Sequence, residues 1–196
     1  MEKRGLTRAL AAVGLTATSG VGFTDELRVG LRGTTRRVWG RRGVKVRQRL
    51  QLKYEWRYLV LAVDGQAGTI WWGWASTMKA VDLWPLVAGL HELDVLNGLV
   101  WDRAPSHRDA AVRAIGLPLV ELPPYSPELN PAERLFEEIR RRVEGKVYAT
   151  LDDKLAAVEA VLEEFDADPA RVRQLCGWGW IHAAIEALPA PEKKAA

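Results

Sequence analysis

Three acids stand where a side chain could do chemistry: Asp25, Asp102 and Glu133. Val21, Phe23, Asp25, Leu27 and Val29 share one phase of an alternating run, so Asp25 falls among the apolar positions of a strand, an unusual place for a charge. Asp102 ends the apolar run Gly98-Leu-Val-Trp101. Glu133 follows Leu122-Pro-Pro-Tyr-Ser-Pro-Glu-Leu-Asn-Pro131, in which Pro123, Pro124 and Pro127 fix φ and keep the chain extended or turning. Asn130 then suits a helix N-cap and Pro131 the first helical position, which sets Glu133 in the first turn. Carboxylates converging from such junctions repel one another unless a cation lies between them, and Mg²⁺, or Mn²⁺ in its place, is the natural occupant of an all-oxygen site. Two such ions about 3.5–4 Å apart could serve the attacking and leaving oxygens of an in-line phosphodiester displacement.

Each acid has a plainer explanation. Asn130 and Glu133 have the spacing of a capping box, and Glu133 flanks the apolar stripe Ala132, Leu135, Phe136, Ile139 and Val143 by about 100°. Asp64 rivals Asp25 as first acid, but the Asp64-Gly65 pair marks a hairpin turn. Glu26 points to the opposite face of its strand and ranks a distant second. His107 is expected one turn into a helix after Asp102, where it could approach a metal site or a phosphate, or serve equally in capping or packing. Three histidines at 91, 107 and 182 are too scattered for a zinc site. Trp71, Trp72 and Trp74 read as core, with Trp72 expected on the face opposite the other two.

The elements that must position these acids follow in order. After the strand over 21–29, short strands are expected over 37–39 and 44–46 around a Gly40…Gly43 turn. A hairpin is expected from strands at 56–63 and 69–75, then a helix over about 79–93 and a strand at 98–101. A helix at 106–115, a strand at 117–121 and helices over 131–144, 151–165 and 169–188 complete the chain. Antiparallel hairpins followed by β-α-β units imply an α/β fold: a mixed five-stranded sheet flanked by helices, in the element order of the ribonuclease H-like fold, with a C-terminal helical extension. In such a sheet the first and fourth strands are parallel neighbours, which sets Asp25 beside Asp102.

The three motifs also carry a family likeness. Phe23-Thr-Asp25-Glu26 with the downstream Val38-Trp39-Gly-Arg-Arg-Gly43, then Val100-Trp101-Asp102-Arg-Ala-Pro-Ser-His107, then the 122–136 segment resemble, in order, the acidic motifs of insertion-sequence 630, mariner-like transposases of the DDE endonuclease superfamily. Phe136 stands where the family often has Trp, and Arg103 replaces the usual Asn beside the second aspartate. The resemblance implies a DNA transposase catalytic domain: Asp25, Asp102 and Glu133 as catalytic metal ligands, Mg²⁺-dependent cutting at transposon ends, and strand transfer into target DNA similar to a TA dinucleotide. Pairing of two ends implies a homodimer. Only 24 residues precede Asp25, fewer than the end-recognition helices of the family need, so a separate DNA-binding polypeptide is expected. The alternative is a truncated, non-catalytic remnant that binds only DNA or a partner.

Net charge is +3, but it is lopsided. Residues 28–57 hold eleven basic side chains and one acid, Glu55, while the remainder carries 17 basic and 24 acidic residues. That block suits a polyanion, and a solvated charged hairpin explains it about as well. On the first reading Arg36, Arg37, Arg41, Arg42, Lys45, Arg47 and Arg49, with His107, would contact DNA. Cys176 is the single cysteine, and no apolar run reaches the roughly 18 residues of a membrane span. These features favour a reduced, cytoplasmic setting without membrane contact, and the resemblance implies association with the nucleoid. Four segments are expected: a lead-in at 1–19, the catalytic domain at 20–146, the helical extension at 147–188 and a disordered tail at 189–196.

Overall fold

The computed structural model describes residues 3–33, 39–47, 49–93 and 96–191. Its centre is one five-stranded sheet in the order β3-β2-β1-β4-β5. The strands are β1 (Val21–Gly30), β2 (Trp56–Asp64), β3 (Thr69–Ala75), β4 (Gly98–Trp101) and β5 (Leu119–Glu121). β1–β2 and β2–β3 pair antiparallel, and β1–β4 and β4–β5 pair parallel, so the sheet is mixed as expected. Leu59, Leu61 and Val63 of β2 enter one core while Val60 and Ala62 enter the other, which is why β2 reads as an unbroken apolar run.

The first core is roofed by α4 (Ala132–Val143), α5 (Leu151–Asp166), α6 (Pro169–Cys176) and α7 (Gly179–Glu186). The second is covered by α2 (Ala80–His91) and the short α3 (Ala110–Arg113). α4 buries Ala132, Leu135, Phe136, Ile139 and Val143, the stripe read from its spacing. Thr150 and Asp153 form a capping box that starts α5. Buried Lys154 on α5 reaches the Gly30 carbonyl at 2.7 Å and the Glu144 carboxylate at 2.8 Å, tying the end of β1 to the end of α4.

Several expectations need correcting. Residues 39–47 form no strand, and the expected strand at 44–46 is exposed loop; Arg37 and Val38 of the other lie outside the described residues. Its side chains have no sheet edge or core to pack on. The 106–115 helix is a 3-10 turn (Pro105–Arg108) followed by α3, because Asp109 adopts an extended conformation and caps a new helix through the Ala111 amide. The 169–188 helix breaks into α6 and α7 at Gly177-Trp178. Trp71, not Trp72, is the odd tryptophan: Trp72 and Trp74, two apart, pack toward the α4–α5 core and Trp71 toward α2. Within the lead-in, α1 (Lys3–Ala12) buries Leu6 and Leu10 against α7. At the other end the Pro189 carbonyl accepts from the Ala17 amide at 3.1 Å, and residues 192–196 of the expected tail lie outside the described residues.

Candidate active site

Strand register alone brings the two aspartates together. β1 pairs with β4 as Val21↔Gly98 and Phe23↔Val100, so continuing the parallel register sets Asp102 abreast of Asp25. α4 crosses this end of the sheet and offers Glu133 from its first turn. Asp25, Asp102 and Glu133 line one cleft of about 540 Å³, together with Arg103, Arg108, Asn130 and the proline-rich loop.

Each carboxylate is held in its own way. Asp25 is mostly buried; its Oδ1 accepts from the Glu26 amide at 2.8 Å and its Oδ2 from Asn130 Nδ2 at 3.2 Å. Burial, and then the charges of Glu26, Glu133 and Asp102, push its carboxyl up to about 7. Asp102 is more open: its Oδ1 accepts from the Ala104 amide at 2.8 Å and lies 2.9 Å from His107 Nδ1. The His107 hydrogen bond holds this carboxyl below the usual range. Glu133 Oε2 accepts from Arg140 Nη1 at 3.2 Å, two turns along α4.

Asn130 is the hinge of the arrangement. Its Oδ1 accepts from the Ala132 amide at 3.1 Å while its Nδ2 donates to the Thr24 carbonyl at 3.0 Å and to Asp25. It caps α4 as expected and anchors that helix to β1 with the same side chain. The reciprocal half of a capping box is absent, since the Asn130 amide bonds the Pro127 carbonyl and Glu133 turns to Arg140. The plainer reading of Glu133 therefore fails. Asp64 is the turn residue its Asp-Gly pair suggests: its Oδ1 accepts from the Gln66 and Ala67 amides, and it does not line the cleft.

His107 is 1% exposed and stacks on Trp101, with centroids 4.3 Å apart. Its Nε2 lies 2.9 Å from Glu26 Oε1 and its Nδ1 faces Asp102, so one imidazole bridges two carboxylates. Burial alone would push the imidazole down, but the Asp102 and Glu26 hydrogen bonds reverse that and raise it to about 10. It offers DNA no surface in this structure. Glu26, the neighbour of Asp25 on the opposite strand face, is thus part of the site from beneath the sheet. Its signal in the sequence was that face, onto which the segment after Asp102 must fold. Arg103 turns away from the acids to the Leu122 carbonyl and to Glu121, which also gathers Arg108 and Arg113.

Tyr125 is a residue the sequence alone did not single out. It lines the cleft, is fully exposed and has φ 55, a left-handed backbone rare for a residue with a Cβ. Of the basic residues expected to meet DNA, Arg41, Arg42, Lys45, Arg47 and Arg49 are exposed on the loop between β1 and β2. Arg36 and Arg37 lie outside the described residues.

Residues 21–155, more than half of the chain, match the model of the DDE superfamily endonucleases. The chain belongs to this family. No curated protein sequence matches it. Among solved structures it is similar to the Mos1 strand transfer complex at TM-score 0.63 and 18% identity, over 94% of this chain and 57% of that one. It is similar also to the Mos1 mariner paired-end complex with Mn, at TM-score 0.54 and 14% identity, over 95% of this chain and 62% of that one. The catalytic core domain of BIV integrase is matched at TM-score 0.50 and 13% identity, over 80% of this chain and 94% of that one. The DDE fold is therefore ribonuclease H-like, and the chain spans less than two-thirds of the Mos1 chains it matches.

The family implies divalent-metal use. Among the described residues no three His, Cys, Asp or Glu groups stand close enough to hold an ion as they are placed. The donor set nevertheless fits a hard cation: the three acids facing the cleft offer oxygen only, no cysteine or methionine lines it, and Asp25 is crowded by negative charge. Glu133 would have to leave Arg140.

Proposed function

We propose that the chain is the catalytic domain of a DNA transposase, cleaving phosphodiesters at transposon ends and transferring the freed strand to target DNA. In cleavage, water adds to phosphorus and the 3′-oxygen departs with the bond pair and takes up a proton, leaving a 3′-hydroxyl. In transfer, that hydroxyl adds to a target phosphodiester as the target's own 3′-oxygen leaves. The observation that supports this most is the meeting of Asp25, Asp102 and Glu133 in one cleft. Bound to these three, Mg²⁺ or Mn²⁺ would polarise the scissile phosphate and activate the attacking oxygen.

The protein's own groups do the positioning. Asn130 holds Asp25, and the Glu26–His107 bridge fixes one oxygen of Asp102 while its carboxylate stays open to the cleft. Glu121 draws Arg103 and Arg108 to the rim, where they can meet the phosphates flanking the scissile bond. The exposed basic loop, including Arg41, Arg42, Lys45, Arg47 and Arg49, would add sequence-independent phosphate contacts. In this reading the domain works as a homodimer on two DNA ends, in the cytoplasm at the nucleoid. Calorimetry of Mn²⁺ binding with a DNA oligonucleotide present tests it. Binding by the wild type that is lost in Asp25→Ala/Asp102→Ala is expected; equal binding by both would overturn the site.

The Glu133–Arg140 pair favours a second reading, a DNA- or partner-binding module without turnover. Metal-dependent strand cleavage by the purified chain would exclude it.

A further inference from the structure

Seven residues beyond Glu133, Arg140 helps to wall a second cleft of about 500 Å³. The opposite wall is the far end of β1 and the chain entering β2, with Arg28, Arg32, Tyr54 and Trp56. Tyr54 is 66% exposed and Trp56 39%, so neither aromatic is absorbed by a core. The Arg32 guanidinium lies 4.8 Å from the Tyr54 ring centroid and that of Arg28 5.6 Å from Trp56. Two acids, Glu55 and Glu144, also line the groove, but Glu144 is answered by Lys154 at 2.8 Å. With the Arg140–Glu133 and Lys154–Glu144 pairs set aside, Arg28 and Arg32 outweigh Glu55, beside two exposed rings that each carry a guanidinium over one face. That combination stacks bases and holds phosphates, and only an unpaired strand can present base faces to it.

We propose that this groove binds an unpaired segment of the DNA strand whose phosphodiester occupies the acidic cleft. Its bases lie on Tyr54 and Trp56 and its phosphates on Arg28 and Arg32. Arg140 links the two clefts, since it bonds Glu133 and lines the groove. Seven residues of helix rise about 10 Å, a distance that a few nucleotides span. The inference rests on the proposed DNA-processing role and adds to it the form of DNA that the domain holds.

The test is fluorescence anisotropy with the full chain in EDTA, using a labelled twelve-nucleotide thymidine oligomer and, separately, a labelled twelve-base-pair duplex. Tyr54→Ala/Trp56→Ala is expected to weaken single-strand binding at least about fivefold per aromatic, while duplex binding stays within about twofold. Tyr54→Phe/Trp56→Phe should restore the affinity, because stacking survives. Arg28→Ala/Arg32→Ala should make the single-strand log K against log salt slope shallower by about 0.7 per lost contact. Unchanged single-strand binding, equal losses on both probes, an unchanged slope or no rescue by phenylalanine each overturns the groove. Wild-type protein that binds the duplex alone overturns the groove and spares the wider reading. Wild-type protein that binds neither probe removes both.

Discussion

Asp25 carries the electrostatic burden of the site. Its carboxyl is pushed up to about 7 from 3.8 by burial and by its acidic neighbours, so the folded chain holds a proton there more tightly than the unfolded chain does. The stability from that proton is full below about pH 4 and is lost as pH rises through 7. Asp25→Asn should therefore stabilise the metal-free protein at pH 8 by about 1–3 kcal/mol, with the gain vanishing near pH 4. Thermal melts in EDTA at the two pH values check it, and a variant less stable than wild type at pH 8 would contradict it. Glu26 acts at one remove, through His107 on Asp102. Glu26→Gln should lower Mn²⁺ affinity about 10- to 100-fold, as loss of an orienting partner does at other metal centres. Calorimetry on DNA-bound protein reads this, and unchanged affinity would leave the bridge a packing feature only. Asp25 and Asp102 were legible because each breaks a local rule, a charge in an apolar phase or at the end of an apolar run. Glu26 was not, because its partner lies 81 positions away.

α4 is the element on which the site turns. Its capping, its apolar stripe and the place of Glu133 were all readable, since each rests on near neighbours in the chain. The direction in which Glu133 points was not, because the choice between the Asn130 amide and Arg140 depends on how the 127–130 turn closes. The Arg140 pair is roughly a third exposed on both sides, so it is worth less than about 1 kcal/mol. Arg140→Ala should then release Glu133 and tighten Mn²⁺ binding by at most about fivefold. Weaker Mn²⁺ binding in that variant would mean that Arg140 helps the site rather than restraining it. The break between α6 and α7 is not legible in the sequence, because apolar residues continue across Gly177-Trp178. There the turn is set by close approach to Gly65, where a Cβ on Gly177 would lie 2.7 Å from the Gly65 carbonyl oxygen.

At the scale of the whole molecule, charge is divided between a basic loop and an acidic cleft. Strand order was recoverable from the element sequence, since parallel neighbours need crossovers and hairpins do not. The conformation of the loop between β1 and β2 was not, because glycines and charges alternate there without a core to report to. If that loop meets duplex DNA, replacing Arg41, Arg42, Lys45 and Arg47 by Ser should flatten the log K against log salt slope by about 0.9 per lost contact. An unchanged slope would make the block a solvated surface. On the proposed function three carboxylates form one metal-dependent phosphodiester site, and the decisive measurement is cleavage of end-labelled duplex DNA in Mn²⁺. Cleavage should be seen with the wild type, stop on chelation, and be lost in Asp25→Asn, Asp102→Asn and Glu133→Gln taken singly. Cleavage that persists in Asp102→Asn would mean that the three acids are not the catalytic site.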